Sequence, residues 1–154
     1  MPSKSWQGKS VVIIDDSPGV RTHLKTLFEA AGMTVKGVAE NGVIGLKMIE
    51  DLNPDFASID IIMPEMDGVE CYRKLQTMNP NVKSMMVSWL ASDQKVIDSL
   101  KDIIPSHLFQ AKPVTQADLE ARLEKIYNPQ TKEQQKAAVD LADAALRDLG
   151  IKVA

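Results

Sequence analysis

The run Val11-Val12-Ile13-Ile14-Asp15-Asp16-Ser17-Pro18 joins an apolar segment, a pair of acids and a helix start. Consecutive β-branched residues without polar alternation predict a strand covered on both faces, as in a parallel sheet. Ser17-Pro18 then opens a helix, with Asp16 or Ser17 as N-cap and proline in the first turn. Val20, Leu24, Leu27, Phe28 and Ala31 form its inner stripe, and Gly32 is its stop.

The same unit recurs along the chain. Thr34 to Ala39 reads as a second, weaker strand. Gly42 to Leu52 reads as a helix with apolar positions Val43, Leu46, Met48 and Ile49, ended by Asn53-Pro54. Phe56 to Ile59 is a third buried strand, again followed by an aspartate, Asp60. Val69 to Met78 is helical and Ser84 to Ser88 is a fourth strand. Gln94 to Ile104 is a helix capped by Ser92 or Asp93. His107 to Ala111 is a fifth strand running into Lys112-Pro113. Thr115 to Tyr127 is a helix in which Thr115 and Asp118 have the spacing of a capping box. Short loops between five β-α units predict an α/β fold: a doubly wound, five-stranded parallel sheet with helices on both faces. Right-handed crossovers place the carboxyl ends of all strands on one rim, and sites in such sheets lie there.

Composition agrees with a globular protein. The chain has 154 residues, 44% of them hydrophobic and 25% charged, enough for one domain with a small appendage. A formal net charge of −3 gives no reason to expect a nucleic-acid partner. The lone cysteine, Cys71, can form neither an internal disulfide nor a zinc site, and reads as a buried or half-buried helix residue. No apolar run of signal-peptide or membrane-spanning length occurs, so the expectation is a cytoplasmic protein without membrane insertion. His23, expected at the surface, and His107, expected to begin the fifth strand, are too scattered to suggest a metal site. The eight methionines, Met85-Met86 among them, read as core filler.

The strand ends carry the chemistry. The first ends in Asp15 and Asp16, the third in Asp60, the fourth in Ser88 and the fifth in Lys112. Three carboxylates side by side repel one another unless a cation neutralises them. A site offering only oxygen ligands suits a hard ion such as Mg2+. Lys112 adds a positive charge and Ser88 a hydroxyl, which together suit a small tetrahedral anion. A carboxylate can also act as nucleophile and form an aspartyl phosphate.

Asp15-Asp16 after an apolar strand, Asp60-Ile61-Ile62-Met63-Pro64-Glu65-Met66-Asp67-Gly68, Ser88 and Lys112-Pro113 together resemble the response-regulator receiver family, single-domain and chemotaxis-regulator-like. The resemblance covers about residues 9–127 and implies a flavodoxin-like strand order of 2-1-3-4-5. It implies that Asp60 is the phosphoacceptor. Asp16 would bind Mg2+ directly, Asp15 directly or through water, and the backbone carbonyl of Ile62 would complete the ligands beside Asp60. Lys112 would pair with the phosphoryl group, through a cis peptide to Pro113. Ser88 would hydrogen-bond a phosphoryl oxygen, and Phe109 matches the aromatic that swings inward. A histidine kinase or phosphotransfer protein would be the donor, and an unknown downstream protein would read the state. Stand-alone chemotaxis, stress-signalling and phosphorelay receivers look alike at this level. An enzyme with turnover is not expected.

Two departures from the family pattern stand out. Trp89 follows Ser88 where a small residue is usual, which implies restricted access to Asp60. Ile62 and Leu90 are apolar where water-positioning residues are expected, which implies slow self-dephosphorylation. Trp89 also supports a rival reading as an unphosphorylated scaffold. A Mg2+-dependent phosphohydrolase fits less well, because Asp60 is followed by Ile61-Ile62 rather than a second acid.

Residues 128–154 form a separate C-terminal extension in this reading. Lys132 to Leu149 is alanine-rich and helical, with a capping box from Thr131 and Gln134 and a glycine stop at Gly150 before Ile151. Val139, Ala142, Leu146 and Leu149 make an apolar seam. Docking on its own domain is the first expectation and a homodimer the second. The extension is too short and too nearly neutral for a DNA-binding domain.

Overall fold

The computed structural model describes residues 4–129 and 132–151. Five parallel strands form one sheet: β1 (Ser10–Ile14), β2 (Thr34–Ala39), β3 (Phe56–Asp60), β4 (Lys83–Ser88) and β5 (Phe109–Ala111), in the order β2-β1-β3-β4-β5. Helices α1 (Pro18–Ala30), α2 (Gly42–Leu52), α3 (Gly68–Met78), α4 (Gln94–Leu100) and α5 (Gln116–Tyr127) connect and cover it. The fold and strand order are those expected. The polar strand ends explain the layout: β1 and β3 are buried along their whole length, so only residues at or beyond their carboxyl ends can reach water.

Helix starts follow the capping chemistry read from the sequence. Ser17 caps α1 and Asp93 caps α4. Thr115 and Asp118 form the reciprocal capping box of α5. Cys71, Met85 and Met86 are completely buried, as core residues.

Three local expectations need correction. Helix α4 ends at Leu100 rather than Ile104, and Ile103 and Ile104 close back onto Leu100 in turns. Strand β5 begins at Phe109; Ser106–Leu108 form a 3-10 turn instead, so His107 lies before the strand. Leu108 bonds back to the carbonyl of Pro105, which commits this segment to the turn. Val43 is exposed, because the sheet-facing position of α2 is Gly45, where any Cβ would overlap the side chain of Ile14. The apolar pattern of α2 thus has its closest approach at a residue with no side chain.

The C-terminal helix α6 (Lys132–Asp148) ends as expected. Gly150 has φ of 78°, and the Ile151 amide bonds to the Leu146 carbonyl at 2.9 Å, closing the helix with a glycine motif. Thr131, half of the expected capping box, lies outside the described residues. The seam does not dock on the domain: Val139, Leu146 and Leu149 are 58%, 36% and 75% exposed.

One core residue carried no sequence signal. Trp6, in the turn before β1, is only 1% exposed, and its indole Nε1 donates to the Ala31 carbonyl at 3.1 Å. It stoppers the end of α1, where Gly8 also bonds to Gly32. Trp6→Ala removes a buried ring and leaves a carbonyl unpaired, so a loss of about 3 kcal/mol in urea unfolding is expected. A loss under about 1 kcal/mol would mean that this segment does not belong to the core.

Candidate functional site

Parallel pairing sets the site. Ile14 lies beside Ile59, and Asp60 beside Val87, so the residues that end or follow these strands crowd one rim. Carboxylate oxygens of Asp15, Asp16 and Asp60 all lie within 4.8 Å of one another. Lys112 reaches between them, its Nζ 2.8 Å from Asp15 Oδ2 and 3.5 Å from Asp60 Oδ2. The side chains of Asp15, Asp60 and Lys112 are almost completely buried, while Asp16 is exposed. The sequence-derived acids and lysine therefore converge.

Each group is held by its backbone. The Ser17 amide donates to Asp15 Oδ1 at 2.9 Å, which fixes that carboxylate as α1 begins. Beyond β5, the Lys112 amide donates to the Ser88 carbonyl at 3.1 Å, and the Lys112-Pro113 bond is cis, as the resemblance implied. Gly68 is indispensable: a Cβ there would overlap the Asp60 carbonyl oxygen and lie 2.6 Å from Ile61 Cα. Its amide donates to the Ile61 carbonyl at 2.7 Å, which folds α3 back against the acid.

Ser88 is buried, and its Oγ accepts the Leu90 amide at 3.1 Å. That bond uses an acceptor site and leaves the hydroxyl proton free to donate elsewhere. Phe109 is buried at the start of β5. Around the rim stand three exposed apolar side chains: Ile62 at 60%, Trp89 at 63% and Leu90 at 37%. Trp89 borders a crevice beside the rim. With Val20, Leu24 and Val114 it lines this crevice of about 220 Å³, which also touches Lys112.

Two supporting residues escaped the sequence reading. Arg21 Nη1 donates to the Asp15 backbone carbonyl at 2.6 Å. His23 Nε2 lies 2.8 Å from the Val114 carbonyl, joining α1 to the loop that carries Lys112. Both sit in a helix one or two turns after the acids, and helical spacing was the only available signal. His23 is exposed, as expected.

The electrostatics match this crowding. Burial first, then the neighbouring Asp15, pushes the Asp60 carboxyl up to about 6, while Lys112 and a backbone bond from Ile62 oppose the rise. One buried lysine does not neutralise three carboxylates. The donor set, all oxygen and anionic, fits a hard divalent cation.

The sequence and fold resemble those of known proteins. The model of the response regulator receiver domain matches residues 11–124. The chain is 35% identical over 94 residues to the chemotaxis protein CheY of Thermotoga maritima, covering 61% of this chain and 78% of that protein. CheY of Listeria monocytogenes is 33% identical over 91 residues, covering 59% of this chain and 76% of its own length. Among solved structures, the CheX-CheY-BeF3-Mg2+ complex from Borrelia burgdorferi superposes with a TM-score of 0.69 at 27% identity, covering 79% of this chain and 90% of that one. A CheY-like receiver from Methanospirillum hungatei gives 0.67 at 28% identity, covering 85% and 99%.

The raised Asp60 carboxyl has a measurable consequence. Unfolded, it ionises near 3.8; folded, near 6. Between these values the folded state keeps a proton that the unfolded chain has lost, so stability falls as pH rises through the window. Without divalent cation, Asp60→Asn is expected to exceed the wild type in stability at about pH 7 by on the order of 1–3 kcal/mol, with the gap closing near pH 4. An equal stability at both pH values in urea titrations would contradict it.

Proposed function

Because the chain belongs to the response regulator receiver domain family, we propose that it is a phosphorylation switch of a two-component system, with Asp60 as phosphoacceptor. The observation that carries this reading is the buried Asp60 flanked by Asp15, Asp16 and Lys112 at the strand rim. Asp60, ionised above about pH 6, attacks phosphorus, and the bond to the leaving group breaks. With a phosphohistidine donor this is the P–N bond, and the imidazole keeps the electron pair. Asp15, Asp16, Asp60 and the carbonyl of Ile62 would hold Mg2+, which offsets negative charge on the phosphoryl oxygens.

The remaining roles follow from position. Lys112 exchanges its contact with Asp60 for the phosphoryl oxygens, and the free Ser88 proton donates to one of them. Movement of Ser88 pulls on the β4–α4 segment, whose helix α4 contributes no buried residue. An element with so little buried surface shifts at small cost. Phe109, on β5 beside Met86, lies on the path from Ser88 to the α4-β5-α5 face. Phosphorylation biases that face between two populations, and a downstream protein reads the difference. The donor is a histidine kinase or phosphotransfer protein in the cytoplasm. No helix among the described residues is long and apolar enough to cross a membrane. The relative from Borrelia was crystallised with CheX, BeF3 and Mg2+, a combination consistent with an anion and a metal sharing such a rim. The protein acts as a switch without independent substrate turnover.

Ile62 and Leu90 present no polar group to orient a water against the aspartyl phosphate, so hydrolysis is slow. Intact mass after incubation with acetyl phosphate, with a phosphohistidine donor as second trial, measures both points. One phosphoryl adduct is expected, dependent on Mg2+ and lost in Asp60→Ala, decaying over minutes or longer after donor removal. Absence of an adduct with both donors would favour an unphosphorylated scaffold, for which the exposed Trp89 would serve as anchor. Decay within seconds would refute the slow hydrolysis, and release of phosphate from a small ester with repeated turnover would favour a phosphohydrolase.

A further inference from the structure

The receiver domain leaves α6 unexplained. Val139, Ala142, Leu146 and Leu149 fall within an arc of about 80° on the helix, and all are exposed. The two flanks of this seam differ. On one side stand Ala138 and Ala145; on the other stand Lys136 and Asp143. Among the described residues, neither Lys136 nor Asp143 forms an ion pair within the chain. A seam this apolar on a surface helix is stable only against a complementary partner.

We propose that α6 is a self-association element, pairing antiparallel with α6 of a second copy of this chain about a two-fold axis. Charge decides the direction. In a parallel pair, the charged flank of one helix faces the alanine flank of the other, and Lys136 and Asp143 stay unpaired. In an antiparallel pair like flanks meet. The alanine flanks allow close approach, and Lys136 and Asp143, one heptad apart, come opposite each other in both symmetry-related places. Val139 then packs beside Ala142 of the other protomer, large against small, while Leu146 lies over the aliphatic stem of Gln135, which falls within the same arc. The arrangement is closed, so it stops at two copies.

The size of the contact sets its strength. A helix of 17 residues is about 26 Å long, and one pair of such helices buries less than the roughly 1,600 Å² of a standard stable interface. The dimer is therefore weak, with a dissociation constant on the order of tens of micromolar. This association does not depend on phosphorylation of Asp60.

Sedimentation equilibrium of the full chain, from micromolar to near-millimolar concentration, tests it. The weight-average mass is expected to rise from 17.0 kDa toward twice that value. Leu146→Glu should weaken association by about a hundredfold or more, since it places a charge in the seam. Lys136→Glu and Asp143→Lys should each weaken it by about two- to tenfold, and the double exchange should restore it. All three positions lie on the described surface of α6 away from the core, and far-ultraviolet circular dichroism checks that the variants stay folded. A monomer at every concentration, a dimer unaffected by Leu146→Glu, or a double exchange no better than the single variants would each overturn the proposal.

Discussion

The ion contact of Lys112 with Asp15 and Asp60 is the constraint on which the rim depends. Charges this deeply buried are tolerated only when paired. Here one cation serves two buried acids, with Asp16 adding a third negative charge at the mouth. The lysine sits nearer Asp15 than Asp60, and Asp60 carries the surplus as a raised proton affinity. A site in this condition has a built-in preference for a divalent cation. In the proposed reaction the buried Asp60 would be the nucleophile.

The fold keeps these groups together by close backbone approach rather than by side-chain bonds alone. Gly45 lets α2 press on Ile14, and Gly68 lets α3 press on the Asp60 peptide. Behind them, β1 and β3 are wholly buried and pair residue for residue, so neither acid can move along its strand without displacing the other. On the far side the support thins out. Strand β5 has three residues, and α4 buries none. Rigidity at the acids and looseness at α4 is the distribution that the proposed switch requires.

Most of this was legible in the sequence, for a physical reason. Strands buried on both faces are continuous apolar runs, so polar residues at their ends stand out, and Asp15, Asp16, Asp60, Ser88 and Lys112 were all found that way. Errors arose where the signal is local or absent. Ile103 and Ile104 extend the apolar pattern of α4, but their burial comes from turns, not from the helix. Val43 counted among the apolar positions of α2 although it is exposed, because a glycine at the true contact has no hydrophobicity to register. Trp6 lies in a short turn with no periodicity, and its burial depends on the distant Ala31 carbonyl. The seam of α6 was visible, but its expected docking on the domain was not met, because an apolar stripe specifies a need for cover without specifying what provides it.

The central claim is that Asp60 itself becomes phosphorylated. Borohydride reduction of the phosphorylated protein converts an acyl phosphate on aspartate to homoserine, and peptide mass spectrometry then locates it. The account predicts homoserine at position 60 alone, and only when Mg2+ was present during phosphorylation. Modification at Ser88 or at another acid, with Asp60 unchanged, would contradict it.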